Sequence, residues 1–130
     1  MVALSFIMST ARDDFPIIAD RALHLFEPTA RSLMKQTCKD FELVVVDALK
    51  PRRAEWWPLR LVDFPVQHIS PKPGSWVDRG YWGVCAGFNT GLVHARGKYI
   101  CVIGDCSEFT PDAVEVALWH LERGRRPAFG

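Results

Sequence analysis

The 130-residue chain has no hydrophobic run long enough to span a bilayer. It also lacks a signal-peptide pattern, because the apolar stretch over residues 2–8 is short and no basic segment precedes it. The formal net charge is only +1, so no broad electrostatic field attracts nucleic acid or an acidic membrane. With 48% hydrophobic residues, the chain is expected to fold as one domain, and disorder is not expected.

The cysteines are not arranged for metal or redox chemistry. No C-x-x-C pair occurs among the four cysteines, Cys38, Cys85, Cys101 and Cys106. Together with the missing signal peptide, this pattern predicts reduced thiols and a cytoplasmic protein. The four histidines, at positions 24, 68, 94 and 120, do not have the spacing of metal ligands either.

The common phosphate-binding and hydrolase motifs are absent too. The loop after the first predicted strand, residues 9–14, contains no glycine. A G-x-G-x-x-G dinucleotide fold needs glycine there so that the backbone can approach the pyrophosphate. There is also no G-x-x-x-x-G-K-[ST] sequence, no G-x-S-x-G elbow and no zinc-deaminase spacing. These absences argue against dinucleotide-binding enzymes, P-loop proteins, α/β-hydrolases and deaminases.

What the chain does have is two hydrophobic runs that each end in a lone aspartate, Asp47 and Asp105. Short runs that are apolar at nearly every position predict strands buried on both faces, as in a parallel sheet covered by helices. Ligands bind such sheets beyond the carboxyl ends of the strands. The two aspartates should therefore share a crevice with Ser9 and Thr10, at the end of the first strand. Either aspartate alone would also suit an ordinary turn.

Helices are predicted between the strands. The periodicity and the turn residues predict the order β-α-β-β-α-β-α, an α/β fold with a mostly parallel sheet flanked by helices. Residues 1–124 are predicted to form this domain, and residues 125–130 a tail or a truncated linker. The predicted strands and helices cover, in chain order, residues 2–8, 16–36, 41–46, 65–69, 82–94, 98–103 and 111–123. Pro28 is expected to break or restart the first of these helices.

Several segments carry a more specific signal. Residues 31–47 run through Gln-Thr and Asp-Phe-Glu to a strand that ends in Asp. Residues 89–100 read Asn-x-Gly and then Ala-x-Gly-x-Tyr-Ile, and residues 104–106 read Gly-Asp-Cys. In these segments and in the first strand, the chain resembles the N-terminal half of family-2 glycosyltransferases. The resemblance covers nearly the whole chain and implies the GT-A fold, which is a Rossmann-like architecture.

The resemblance also implies a binding site for a nucleotide-sugar donor. In this family the end of the first strand holds the base and ribose, and the aspartate that closes the second strand lies by the nucleobase. A D-x-D-type motif binds ribose and the divalent cation on the diphosphate, and Gly104-Asp105-Cys106 is the DxD-like match. Asp105 is thus the implied ligand of Mg²⁺ or Mn²⁺. The implied nucleotide-binding residues are Ser9, Thr10, Arg12, Asp47, Asn89 and Asp105.

The reaction that the resemblance implies is inverting glycosyl transfer. The acceptor site and the general base of this family lie in a second half. The chain also departs from the family pattern at Ala48, Phe88, Gly104 and Cys106. A thiol is a poor ligand for a hard cation, so Asp105 and Glu108 are the hard ligands that remain. These departures leave open a second interpretation, a degenerate GT-A-like module that makes protein contacts without catalysis.

Two further groups of residues have competing interpretations. Asn89 is expected on the apolar side of its helix, where its amide either contacts the nucleotide or ties the helix to a neighbouring loop. Residues 52–60 mix arginines with tryptophans, a pattern that suits single-stranded nucleic acid but also suits tryptophans that cover the sheet edge. We favour packing there. The predicted partner is therefore the nucleotide-sugar donor and not nucleic acid, and the acceptor is not predicted.

Overall fold

The computed structural model describes residues 2–11, 26–53, 55–56, 59–60, 62–72 and 84–124. The strands in these ranges are β1 (Leu4–Thr10), β2 (Phe41–Asp47), β3 (Val66–Ile69) and β4 (Tyr99–Ile103). The helices are α1 over residues 26–34, α2 (Val84–His94) and α3 (Ala113–Glu122), and a short 3-10 turn covers Lys50–Arg52. The predicted order of elements is confirmed. No helix within the described ranges is long and apolar enough to cross a membrane.

The strands form one parallel sheet with the order β3-β2-β1-β4. In its register, Leu4 lies beside Phe41 on one side and beside Tyr99 on the other. The α/β fold with a parallel sheet that the sequence predicts is therefore confirmed. The strand order changes direction between β1 and β4, and open parallel sheets bind ligands at the carboxyl ends of the strands near such a point.

Helices lie on both faces of the sheet, so the central strands are buried. All seven residues of β1 and all seven of β2 are buried. On one face, alternate side chains of these strands form the main core with Phe26 and Leu33 of α1 and with Val114 of α3. Alternation sends the remaining side chains to the opposite face, where α2 packs. Burial on both faces is confirmed for β2.

Two glycines allow α2 to lie very close to the sheet. A Cβ on Gly91 would lie 2.3 Å from Cγ2 of Ile7, and a Cβ on Gly87 would lie 2.0 Å from Oγ of Ser9. A side chain at either position would force the helix or the facing side chain to shift. Hydrophobic spacing in the sequence predicts that Leu92 lies on the buried face of this helix. That prediction is wrong, because Leu92 is 48% exposed. Hydrophobic spacing fails here because glycine makes the contact.

β4 is an edge strand of the described sheet, and only one of its faces is covered. Tyr99 and Cys101 pack against the core, whereas Ile100 is 41% exposed and Val102 is 52% exposed. The reason is that α2 packs over β1 and β2. The prediction of burial on both faces is therefore wrong for β4.

A buried polar cluster fixes the amino end of the sheet around Glu42. Its carboxylate accepts hydrogen bonds from Ser5 Oγ at 2.7 Å and from Arg96 N at 2.8 Å. It also accepts one from the Gln67 side chain at 3.1 Å, while Ser5 Oγ accepts from Gly97 N at 2.7 Å. Burial acts to raise the pKa of Glu42, but these hydrogen bonds outweigh it and lower the pKa. One carboxylate thus ties the α2–β4 turn to the sheet.

Gln36 joins α1 to the segment that leads from Asp105 into α3. Its side-chain amide donates to the carbonyl of Ser32 at 3.0 Å and to that of Thr110 at 2.7 Å. Its Oε1 accepts from Val114 N at 3.0 Å. Gln36 therefore satisfies a backbone donor in the first turn of α3.

Candidate functional site at the carboxyl edge of the sheet

The sheet register brings Thr10, Asp47 and Asp105 to the same edge. Thr10 and Asp47 pair directly as the last residues of β1 and β2. β1 pairs with β4 as far as Met8 and Ile103, and two more residues along each chain lead to Thr10 and Asp105. The Thr10 hydroxyl donates a hydrogen bond to Asp105 Oδ2 at 2.8 Å. The three residues are thus neighbours, and their ligand-binding roles stay predictions.

Asp47 is fully buried, and three residues hold its carboxylate. Oδ1 accepts from Leu49 N at 2.9 Å and from Arg53 Nη2 at 3.1 Å. Oδ2 accepts from Arg53 Nε at 2.9 Å and lies 2.8 Å from His68 Nε2. This enclosure links the end of β2 to the 3-10 turn and to β3.

The charge of Asp47 is balanced inside the protein. Burial acts to raise the pKa of Asp47, but hydrogen bonds from His68, Arg53 and Leu49 and the charge of Arg53 lower it more, so the net pKa lies below the usual value. The Arg53 guanidinium also lies 5.1 Å from the ring centroid of Trp56, in a cation-π contact. A direct bond from Asp47 to a nucleobase, as the resemblance implies, would have to share or replace these contacts.

Asp105 has a different environment because it is half-buried on a turn directly after β4. Thr10 holds the turn on one side. On the other side, Ser107 Oγ accepts a hydrogen bond from Gly104 N at 3.1 Å. The carboxylate is thus oriented at the edge of the sheet while it remains partly accessible to solvent.

The side chains near Asp105 fit a cation that brings most of its own ligands. Over the described ranges, no cluster of three or more His, Cys, Asp or Glu side chains could hold a metal ion. Mg²⁺ is commonly bound by one or two carboxylates together with substrate phosphates and water. Asp105 supplies one such carboxylate, and the exposed Glu108 follows three residues later. Cys106 is exposed, but its thiol is too soft for this role.

The other predicted nucleotide-binding residues are not at this cluster. Arg12 lies outside the described residues. Ser9 is buried on the opposite face of the sheet, against Gly87 of α2. Asn89 is exposed, because Gly87 and Gly91 are the residues of α2 that face the sheet. The expectation that Asn89 lies on the apolar side of its helix is wrong, and its role in nucleotide binding stays a prediction.

Arg53 and His68 belong to this edge, although neither stands out in the sequence. Arg53 sits in the arginine- and tryptophan-rich loop, and His68 is an isolated histidine on a short strand. In the register of the sheet, His68 pairs with Val45, and because side chains alternate along β2, it lies on the same face as Asp47.

The arginine- and tryptophan-rich loop packs inward at Trp56. Trp56 is 1% exposed, and its ring lies 4.7 Å from that of Phe26 between centroids. A base-stacking surface for nucleic acid needs an accessible ring. The packing interpretation is therefore confirmed for Trp56.

A surface cavity of about 420 Å³ lies beside α1. Glu27 and Arg31 of α1 line it together with Lys35, which directly follows the helix, and Glu108 and Phe109 line it from the loop after β4. The strand-end residues described above do not line it. Residues 12–25 and 73–83, which follow β1 and precede α2, lie outside the described ranges. The nucleotide pocket that the sequence predicts between the strand ends is therefore untested.

Comparisons with known proteins bear on the fold. No family model and no curated protein matches the sequence. Among solved structures, the chain is similar to that of the glycosyltransferase TarS from S. aureus, with a TM-score of 0.62, 18% sequence identity and coverage of 94% of this chain and 20% of that chain. A structure of TarS 1-349 matches with a TM-score of 0.59, 16% identity and coverage of 94% and 33%.

The chain therefore spans a fifth to a third of the length of the structures that it matches. At such low identity, the likeness is evidence of fold alone. The parallel four-stranded sheet and the helices on both faces define an α/β fold, and this fold is similar to part of the TarS structure.

Proposed function

We propose that this chain binds a nucleotide-diphosphate sugar, with Mg²⁺ or Mn²⁺ on the diphosphate, as the donor-binding domain of a family-2 glycosyltransferase of GT-A type. The proposal rests on the meeting of Thr10, Asp47 and Asp105 at the carboxyl edge, beside the point where the strand order changes direction. Open parallel sheets bind ligands at this place. The glycosyltransferase-like fold favours a nucleotide sugar over other phosphate-bearing ligands.

In this proposal the two aspartates act differently. Asp105 binds the cation, which supplies positive charge to the diphosphate as it leaves the sugar. Asp47 acts through its partners. It fixes the guanidinium of Arg53 and the imidazole of His68 at the end of β2. The nucleobase would then form hydrogen bonds with these two side chains, which the buried carboxylate holds in place.

The chain would supply only the donor side of the reaction. Inverting transfer also needs an acceptor hydroxyl and a general base that removes its proton. We assign both to further polypeptide, either a second half or a partner chain. The matched structures do contain much more chain than the matched segment. A cytoplasmic setting belongs to the same proposal, and all four cysteines are free thiols, as that setting requires.

Calorimetry with UDP-sugars and GDP-sugars, with and without Mn²⁺, tests the proposal directly. Asp105→Asn should weaken binding at least about 10-fold when Mn²⁺ is present and should leave binding without Mn²⁺ unchanged. Asp112→Asn is the matched control, because this exposed aspartate makes no side-chain cap hydrogen bond at the start of α3. The proposal is wrong if no nucleotide binds, or if Asp105→Asn binds like the wild type in Mn²⁺.

One observation favours a second function, a non-catalytic module that binds other proteins. Ile100 and Val102 of β4 are exposed, and so is Leu92 of α2. Thr90 faces the segment that follows β3, because its Oγ1 accepts from Lys72 N at 3.0 Å. Leu92, two residues further along the helix, therefore lies on the flank nearer to β4. An apolar surface beside an edge strand is typical of a protein contact.

The second function makes a distinct prediction. With a second copy of the chain as the partner, the wild type should bind no nucleotide and should associate in sedimentation experiments. The double variant Ile100→Ser/Val102→Ser should then remain monomeric with an unchanged fold, because both side chains are already exposed. Mn²⁺-dependent binding of a nucleotide sugar would rule out this function.

A further inference from the structure

Thr10 is a polar residue that is fully buried at the end of β1. Its hydroxyl donates to Oδ2 of Asp105 at 2.8 Å, although the two residues lie 95 positions apart in the chain. We propose that Thr10 is a positioning residue, whose hydroxyl fixes the Asp105 carboxylate for a divalent cation that arrives with a nucleoside diphosphate. This inference rests on the proposed function of the same edge.

The hydroxyl of Thr10 occupies a well-defined place. The Thr10 carbonyl accepts from Ala48 N at 2.8 Å, and its backbone pairs with Asp47 in the sheet. Threonine is β-branched, so its side chain has few accessible rotamers. The position of the hydroxyl is therefore set by two central strands and not by a loop.

The family resemblance implies that Thr10 contacts the nucleotide directly. Its burial and its hydrogen bond to Asp105 favour positioning instead. A hydroxyl has one proton to donate, and Asp105 receives it. An aspartate on a turn can adopt several rotamers, and a hydrogen bond from a fixed strand selects one of them. A carboxylate has about four acceptor positions, so this hydrogen bond does not prevent Asp105 from binding a cation.

Three variants and two measurements test the inference. Thr10→Val removes the hydroxyl and keeps the side-chain shape, whereas Thr10→Ser keeps the hydroxyl. Thr37→Val is the matched control, because it removes a similar hydrogen bond, from Thr37 Oγ1 to Glu115 Oε2 at 3.0 Å, at an exposed position. The first measurement is the Mn²⁺ dependence of UDP-sugar and GDP-sugar binding. The second is the broadening by Mn²⁺ alone of the amide NMR signals of residues 104–107.

Thr10→Val should need about 10- to 100-fold more Mn²⁺ for half-maximal nucleotide binding, as is usual when a hydrogen bond to a ligating group is lost. Its binding without Mn²⁺ should be unchanged, and Thr10→Ser and Thr37→Val should match the wild type. An unchanged Mn²⁺ requirement in Thr10→Val overturns the inference. An equal loss with and without Mn²⁺ also overturns it, and instead assigns Thr10 to direct contact.

Failure of the proposed function is distinguishable from failure of this inference. If the wild type binds no nucleotide, the proposed function is wrong. The NMR measurement with Mn²⁺ alone then tests the inference. Broadening at residues 104–107 that weakens in Thr10→Val supports positioning, and equal or absent broadening overturns it. The melting temperature of Thr10→Val should fall by about 5 °C or less. Thr10→Ala is a second hydroxyl-free variant should Thr10→Val not fold.

Discussion

Replacing Asp47 with asparagine should destabilise the fold far more than the same replacement at Asp105. Both are aspartates at strand ends, but Asp47 is fully buried and has Arg53 and His68 as side-chain partners. Asparagine would place an NH₂ group where Oδ2 now accepts from Arg53 Nε. Because the guanidinium cannot accept a hydrogen bond, it would lose this contact and its counter-charge.

The size of the effect follows from burial. Removing one partner of a fully buried ion pair costs about 3–5 kcal/mol, and Arg53 retains some solvent contact, so about 3 kcal/mol is expected for Asp47→Asn. For a domain of this size, that corresponds to a melting temperature about 10 °C lower. At half-buried Asp105, asparagine can still accept from Thr10, so the expected loss is about 1 kcal/mol or less.

The same reasoning fixes the pH dependence. The pKa of Asp47 is lower in the folded protein than in the unfolded chain, where it is about 3.9. Its contribution to stability is therefore complete above that value and is lost as the pH falls through the folded pKa. The difference between wild type and Asp47→Asn should be largest at neutral pH and should shrink below about pH 4.

Urea unfolding followed by circular dichroism, at neutral pH and at several acidic pH values, measures both quantities. Asp105→Asn serves as the control for loss of one strand-end carboxylate. A loss below about 1 kcal/mol in Asp47→Asn at neutral pH would refute the assignment of Asp47 as a structural anchor. So would an equal loss in the two variants.

Three further replacements test the contacts that hold the helices to the sheet. Gly97→Ala should lower the free energy of unfolding by about 2 kcal/mol, since its Cβ would lie 2.5 Å from Ser5 N. Gly104→Ala is the control, because its Cβ would meet nothing nearer than 3.4 Å, and equal melting temperatures of the two variants would contradict the prediction. Gln36→Met should lower the free energy of unfolding, measured with urea, by about 2 kcal/mol, because a buried N–H of α3 loses its acceptor. A variant with wild-type stability would contradict that role of Gln36. In Glu42→Gln the free energy of unfolding should decrease less below about pH 4 than in the wild type, because the lowered pKa of Glu42 makes its stabilising contribution disappear as the pH drops. The same decrease in both proteins would contradict this prediction.

The central strands could be predicted because burial on both faces leaves a continuous apolar pattern. β2 shows that pattern, and all seven of its residues are buried. β4 has the same pattern and forms the predicted strand, yet Ile100 and Val102 are exposed. The composition of a strand reports what it could bury, but whether a neighbour covers it depends on where the helices cross the sheet.

The side-chain partners at the carboxyl edge could be predicted only in part. The positions of Asp47 and Asp105 follow from the ends of hydrophobic runs in a parallel sheet. The contact of Arg53 with Asp47 could not be predicted, because Arg53 lies in an irregular loop. Hydrophobic periodicity predicts helices and strands but not the path of such a loop. The α2 contact escaped for a similar reason, since Gly87 and Gly91 leave no hydrophobic signal.

β2 carries two buried carboxylates, and comparing them separates structure from function. Glu42 and Asp47 lie an odd number of positions apart, so they face opposite sides of the sheet, and each is near one end of the strand. Both have a lowered pKa with several hydrogen-bond partners. Perturbed titration alone therefore does not identify a binding site. The direction of the strand distinguishes the two carboxylates, because open parallel sheets bind ligands at the carboxyl edge. Asp47 adjoins Thr10 and the half-buried Asp105 at that edge, where the proposed site lies, whereas Glu42 at the amino end ties the α2–β4 turn to the sheet.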